Sequence, residues 1–331
     1  MLLGNPVRVG LVGTGFVAKL RAEALLPDAQ GDWLAAKLVA VAGRTPEKVA
    51  DFAATYGAIA LDSWRELVSH ADVDLVMVCN TNAERGAIVR AALEADRHVV
   101  TEYPLALDPN EAAELVELAR SRDRLLHVEH IELLGGVHQS LRTWLPKVGE
   151  VISARYSTIA PQIPTPGKWT YNRSLFGFPL VGALSRLHRL VDVFENVRQV
   201  GAVARYWPAE VEDYHACWCE ARLIFSSGPI ATVTYGKGDR FHGSQRLLEV
   251  RGSQGTLIYE GDQGQLIQGD QVTPLEVGGR RGLFARDTHA VLAYLLNGTP
   301  LYVRPEESLY TLRVADAAAR SANTGRPIDL L

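Results

Sequence analysis

Residues 7–18 read VRVGLVGTGFVA: an apolar, β-branched strand runs straight into a glycine turn and the start of a helix. No other stretch limits the fold as tightly. An apolar run of that length without polar alternation is buried on both faces, as in a parallel sheet covered by helices. Gly13-Thr14-Gly15-x-x-Ala18 then fits the dinucleotide fingerprint. One glycine makes the tight turn, the next lets the backbone approach a pyrophosphate, and a small residue packs helix on strand. The helix from Phe16 and Val17 onward aims its unpaired amides at the phosphates.

Strand and helix patterns keep alternating after this unit. Lys37–Ala42 reads as a strand, Ser63–Ser69 as a helix, Asp74–Cys79 as a strand and Ala83–Ala95 as a helix. His98–Thr101, Asp108–Ser121 and Leu125–Glu129 continue as strand, helix and strand. Such βα repetition through residue 130 predicts a doubly wound parallel sheet.

The second strand ends in Gly43-Arg44-Thr45-Pro46, with Thr45 at a helix cap and Pro46 in the first turn. A site that prefers NAD places Asp or Glu here for the ribose 2′-hydroxyl. Arg44 and Thr45 stand there instead. A guanidinium pairs with a 2′-phosphate that a carboxylate would repel, so NADP, with NADPH preferred over NADH, is expected. A solvated arginine at a helix start is the competing role. Asn80, Thr81 and Asn82 follow the third strand and either reach the nicotinamide half or form a simple turn.

The run HVVTEYPLAL places Glu102 and Tyr103 at the carboxyl end of a strand that Pro104 terminates. Open α/β sheets bind their ligands at that edge. A phenol keeps its proton at neutral pH and either donates a hydrogen bond or stacks on a flat ligand. A tyrosine plugging a domain junction is the plainer alternative.

From Glu150 the pattern changes. Val151–Ile159, Val197–Tyr206, His215–Phe225, Ala231–Lys237, Arg246–Arg251 and Gly255–Tyr259 read as strands without helices between most of them. They predict an α/β Rossmann domain followed by an α+β domain with a large, mostly antiparallel sheet. Helices at Leu283–Leu296 and Pro305–Asn323 close the chain. For 331 residues the expected division is 1–130, binding the dinucleotide, and 131–331, binding the substrate.

Two further stretches carry chemistry. Trp169-Thr170-Tyr171, after a proline-rich loop, offers aromatic faces for packing or recognition. Arg186 and Arg189 are three apart on a helical segment, so they act together on a carboxylate or pair with Asp192 or Glu195. A net charge of −4 gives no reason to expect nucleic acid or an anionic membrane as partner. Cys79, Cys217 and Cys219 are too few for a disulfide framework and read as buried or half-buried thiols. No metal site is assigned. Lacking a secretory leader and a long apolar run, the chain is expected to be cytoplasmic.

With these residues in view, the chain resembles the glucose–fructose oxidoreductase / inositol dehydrogenase (Gfo/Idh/MocA) superfamily in fingerprint, strand-end Glu-x-Pro and domain order. It departs from the sugar and polyol dehydrogenases of that group, whose Glu-Lys-Pro lysine is catalytic: the position is Tyr103 here. The helix of the second domain has Ser185 and Arg189 where they carry Asp and His, and Arg85 replaces their histidine. Without a base, alcohol oxidation loses on the order of 10²–10⁴ in rate. The segments HVVTEYPLAL, LLHVEHIELLGGVHQ, WTY, FGFPLV, ALSR, YGKG and RRGLF resemble one branch, the cyanobacterial biliverdin reductases, over nearly the whole chain.

That resemblance implies NADPH-dependent reduction of biliverdin to bilirubin: a hydride to the central methine carbon and a proton to a pyrrole nitrogen. A planar tetrapyrrole with two propionates needs apolar walls and cations. Tyr103 and Trp169 are the expected walls, Arg186 and Arg189 the cations. Arg186, Tyr103, and His130 with Glu129 are the candidates to assist protonation. Monomer and homodimer are both compatible. A sugar dehydrogenase, and a non-catalytic NADP- or bilin-binding regulator, are the competing functions.

Overall fold

A computed structural model describes residues 6–26 and 36–330 of the chain. Its contacts divide the chain into two units, one running to Ile131 and including Gly282–Leu309, the other comprising Glu132–Arg281 and the residues from Tyr310 on. Residues 131–331 were expected to form one domain; the return of residues 282–309 to the first unit departs from that. The helix Leu283–Asn297 places Val291, Leu292 and Leu295 in one core with Val7, Leu11, Ala18 and Leu75. An apolar helix face shows that it must be covered, and does not show by which domain.

The first unit holds strands β1 (Val7–Val12), β2 (Ala36–Ala42), β3 (Ile59–Leu61), β4 (Leu75–Val78), β5 (His98–Thr101) and β6 (Leu126–Val128). They pair in parallel in the order β3-β2-β1-β4-β5-β6. This is the doubly wound order, and it reverses between β1 and β4, where such sheets bind their ligands. Every residue of β4 is buried, as two helix-covered faces require. Caps define the helix starts: Ser63 accepts from the Glu66 N–H at 3.2 Å, and Asp108 from the Asn110 N–H at 2.9 Å, with Pro109 in the first turn.

The second unit holds β7 (Val151–Pro161), β8 (Val197–Trp207), β9 (Ala216–Phe225), β10 (Ile230–Gly238), β11 (Gln245–Gly252), β12 (Thr256–Glu260), β13 (Gln263–Gln268), β14 (Gln271–Leu275) and β15 (Ile328–Asp329). They form one sheet in the order β14-β13-β12-β11-β7-β10-β9-β8-β15, antiparallel except where β7 meets β10. The expected fold class is therefore the observed one. β3, β13, β14 and β15 were not anticipated. Each is short, and the Gln- and Gly-rich β13 buries little besides Leu266, so the period-2 signal is thin there.

Candidate active site

The carboxyl ends of β2, β1, β4, β5 and β6 stand side by side along one edge of the parallel sheet. Nearly every residue expected to act in the first unit lies there. Gly13 turns the chain at the end of β1 with φ of +116°; a Cβ on it would lie 2.5 Å from the Cys79 carbonyl oxygen, so only glycine fits. Gly15 caps the helix Phe16–Glu23 and has nothing within 4 Å of where a Cβ would be. The backbone is thus open to a phosphate beside the helix amides. Thr14 is half-buried and Phe16 is exposed, beside half-buried Val17.

Arg44 is exposed at the end of β2 and has no ion pair among the described residues. Thr45 occupies the cap position of Pro46–Tyr56, yet its hydroxyl makes no capping bond. At the end of β4, the Asn80 amide is buried with neither its oxygen nor its nitrogen partnered among the described residues. Buried amides rarely stay unpaired, so this end of the sheet suits a polar ligand group. Asn82 is buried in the first turn of the helix Asn82–Glu94. Open glycine backbone, an uncommitted guanidinium and an orphaned amide together fit a dinucleotide.

Tyr103 follows β5, half-buried, and stacks on His130 with ring centroids 5.3 Å apart and planes 9° from parallel. Beneath them lies a network that the sequence reading missed. Arg21, fully buried, donates from Nε to Glu102 at 2.9 Å and from Nη1 to Asp287 at 2.8 Å. Asp287 also meets His127 Nε2 at 2.7 Å and accepts from the Tyr302 hydroxyl at 2.6 Å. Tyr302 in turn accepts the His130 N–H at 3.1 Å, and His130 Nε2 lies 2.9 Å from Ser308 Oγ. Burial alone would raise the Asp287 carboxyl; His127 and Arg21 outweigh it and hold the group below the usual carboxylate range.

Glu129 and Glu102 were expected at the ligand, and the structure gives both carboxyls protein partners. Glu102 is engaged by Arg21. Glu129 is 2% exposed, accepts the Ile131 N–H at 2.8 Å, and is driven well above its ordinary value by burial and by the neighbouring Glu102 charge. Asp287 was findable in principle: Leu283, Asp287 and Val291 are four apart, and all three are buried on one helix face.

In the second unit, the helix Ser185–Phe194 carries Arg186 half-buried, 2.8 Å from Ser185 Oγ and 5.6 Å from the centre of the Tyr235 ring. Arg189 departs from expectation. It is 1% exposed and pairs with Glu132 at 2.9 Å, neither with Asp192 nor facing solvent. Arg246 reaches the same carboxylate at 3.1 Å and Arg280 also pairs with it. Burial would raise Glu132; Arg189, Arg280, Arg246 and Arg186 hold it below its ordinary value. Asp192 pairs instead with His138 and Arg142. Trp169 opens a short turn, Trp169–Tyr171, and packs 6.1 Å from Phe176. Buried Lys237 lies against that segment.

Among the described residues no group of His, Cys, Asp and Glu is arranged to hold a metal ion, and no helix is long and apolar enough to cross a membrane. Cys79 is half-buried, and Cys217 and Cys219 are buried, all as free thiols.

Known proteins place this geometry. Residues 7–130 match the family model described as an oxidoreductase family, NAD-binding Rossmann fold, and residues 146–330 match its C-terminal alpha/beta domain. The chain superposes on the crystal structure of biliverdin reductase in complex with biliverdin and NADP+ from Synechocystis sp. PCC 6803 with a TM-score of 0.91. Their identity is 50%, over 96% of this chain and 100% of that one. It is also 35% identical over 160 residues to dTDP-3,4-didehydro-2,6-dideoxy-alpha-D-glucose 3-reductase of Saccharopolyspora spinosa, covering 48% of this chain and 47% of that protein. To biliverdin reductase A of Mus musculus it is 31% identical over 140 residues, 42% of this chain and 44% of that protein. The matches thus span about half the length of these two curated relatives. With both domain models matched in order and the second covering residues 146–330, the chain belongs to the Gfo/Idh/MocA oxidoreductase family.

Proposed function

We propose that this chain is an NADPH-dependent biliverdin reductase, reducing the central methine of biliverdin and protonating a pyrrole nitrogen to give bilirubin. The observation that carries the reading is the 50% identity, over 96% of the chain, to a protein crystallised with biliverdin and NADP+. The lysine that sugar and polyol dehydrogenases carry in Glu-Lys-Pro is absent, which favours this reading over alcohol oxidation. The strand-end position offers a phenol, with Ser185 and Arg189 on the second-unit helix.

NADPH supplies the hydride when bound. Gly13, Thr14, Gly15, Phe16 and Val17 hold its pyrophosphate in this reading, Arg44 and Thr45 its 2′-phosphate, and Asn80 and Asn82 its nicotinamide half. Tyr103, oriented by the His130 stack, presents a flat face and a hydroxyl to the bilin, and Trp169 forms a second wall. Arg186 binds a propionate and assists protonation of the pyrrole nitrogen, which makes the methine carbon more electrophilic. Arg189 and Glu129 act through neighbours: Arg189 by fixing Glu132, Glu129 by bracing Glu102 below Tyr103.

Two variants test these assignments. Arg186→Ala is expected to lower turnover by on the order of 10²–10⁴ while NADPH still binds. Near-normal turnover would remove Arg186 from the mechanism. Arg44→Ala should raise the KM for NADPH by about 10- to 150-fold, the worth of a charge-assisted hydrogen bond, and leave that for NADH nearly unchanged. Equal effects on both would refute the 2′-phosphate assignment.

A further inference from the structure

Lys237 has no place in the chemistry above, yet it is an unusual residue to bury. It lies on the inward face of β10 with Ala231, Val233 and Tyr235 and is 5% exposed. No carboxylate among the described residues pairs with it. Its ammonium donates instead to the Thr170 carbonyl. It also sits 3.5 Å from the centre of the Phe176 ring, 4.6 Å from that of Tyr171 and 5.4 Å from that of Tyr214.

Thr170 is the middle residue of the turn that begins with Trp169, and Phe176 packs against Trp169. One ammonium therefore ties several points of the segment 169–176 to the sheet. Phe176 is also fixed by Gly182, where a Cβ would stand 2.3 Å from its ring carbons. An ammonium held by a carbonyl and three ring faces gains charge-assisted and cation–π attraction, which strengthens as water is excluded. It still gives up its hydration without an opposite charge. Methionine would fill a similar volume without that loss, so stability alone does not account for the charge.

We propose that Lys237 is a positioning residue for the substrate: through the Thr170 carbonyl and the Phe176 ring, its ammonium sets the place of Trp169 as an aromatic wall. The inference rests on the bilin reading given above. It has a consequence for pH. Burial first, with repulsion from Lys168 and Arg186, brings Lys237 down to about 8. The thiol and the phenols facing it keep their protons between about pH 7 and 9. The Cys217 thiol is pushed up to about 11 and the Tyr171 phenol to about 12, both by burial first, and the Tyr214 phenol is also raised. Arg186, like any guanidinium, stays charged. The ammonium is present below about pH 8 and lost above it.

The test compares the full-length chain with Lys237→Met and Lys237→Arg. Steady-state kinetics with biliverdin and NADPH run from about pH 6.5 to 9.5, spanning the lysine's titration. Hydrogen–deuterium exchange follows residues 165–176, and thermal melts check folding. In the unaltered chain the KM for biliverdin should climb above about pH 8. Lys237→Met should show a KM raised about tenfold at neutral pH and no such climb, with kcat and the KM for NADPH within about twofold. Its exchange over 165–176 should be faster and its melting temperature undiminished. Lys237→Arg should restore the low KM and abolish the climb. A Lys237→Met chain with unaltered KM and exchange, or one that loses its fold, would overturn the proposal. If the unaltered chain leaves biliverdin unreduced, the bilin reading falls. Exchange then decides the clamp: unchanged exchange in Lys237→Met overturns it, and faster exchange upholds it.

Discussion

Arg21 in the first unit and Lys237 in the second are both buried cations on inward-facing positions, and they are compensated in opposite ways. Burial would lower Arg21, but Glu102 and Asp287 raise it well above the usual value. Lys237 has no carboxylate and falls to about 8, burial being the first cause. The first charge is cancelled by partners that it locks in place, making a rigid brace beneath Glu102 and the strand end that carries Tyr103. The second is left uncancelled and touches the segment that carries Trp169, the aromatic wall proposed for the bilin.

Arg21 carries the largest expected effect. Arg21→Met should cost about 3–5 kcal/mol of unfolding free energy, because it leaves two buried carboxylates without their cation. Denaturant melts check this, and a loss below about 1 kcal/mol would mean that the brace is dispensable. Glu132→Gln is expected to cost less, about 2–3 kcal/mol: it strands buried Arg189, but Arg246 and Arg280 are partly in water. The Glu132 carboxyl titrates below its ordinary 4.5, so its contribution is full above that pH and is lost as pH falls through the lowered value. The gap between Glu132→Gln and the unaltered chain should close with acid.

Lys237→Met is the smallest effect, within about 1 kcal/mol and of stabilising sign. Between about 8 and 10.5 the unfolded chain keeps a proton that the folded lysine has released, so the unaltered chain should gain stability across that range. The variant should lack that gain. A large loss of stability in Lys237→Met would erase the contrast with Arg21.

Much of the first unit was legible in the sequence. The fingerprint at Gly13 and Gly15, the strand ends carrying Asn80, Tyr103 and His130, and the βα alternation all follow local rules of turn, strand and helix. What local rules do not carry is partnership. Arg189 sits three residues from Arg186 on one helix, and spacing alone made them a pair. Glu132, 57 positions away, takes Arg189 instead. Arg21 and Asp287 are 266 positions apart, and nothing near either names the other. That residues 282–309 group by contact with the first unit was likewise not legible, since the apolar stripe of Leu283–Asn297 fits any apolar surface. Lys237 left a fainter trace. A lysine at the inward position of an alternating strand, after Val233 and Tyr235, breaks the binary pattern. Such a break marks a residue to test.

Reduction of biliverdin is the activity proposed for this chain. Purified chain mixed with biliverdin and NADPH should lose the long-wavelength biliverdin band while a yellow bilirubin band grows, at a rate set by the amount of protein. NADPH bound to the protein with the biliverdin spectrum unchanged over many expected turnovers would contradict the claim, leaving an oxidoreductase of this family with a different substrate.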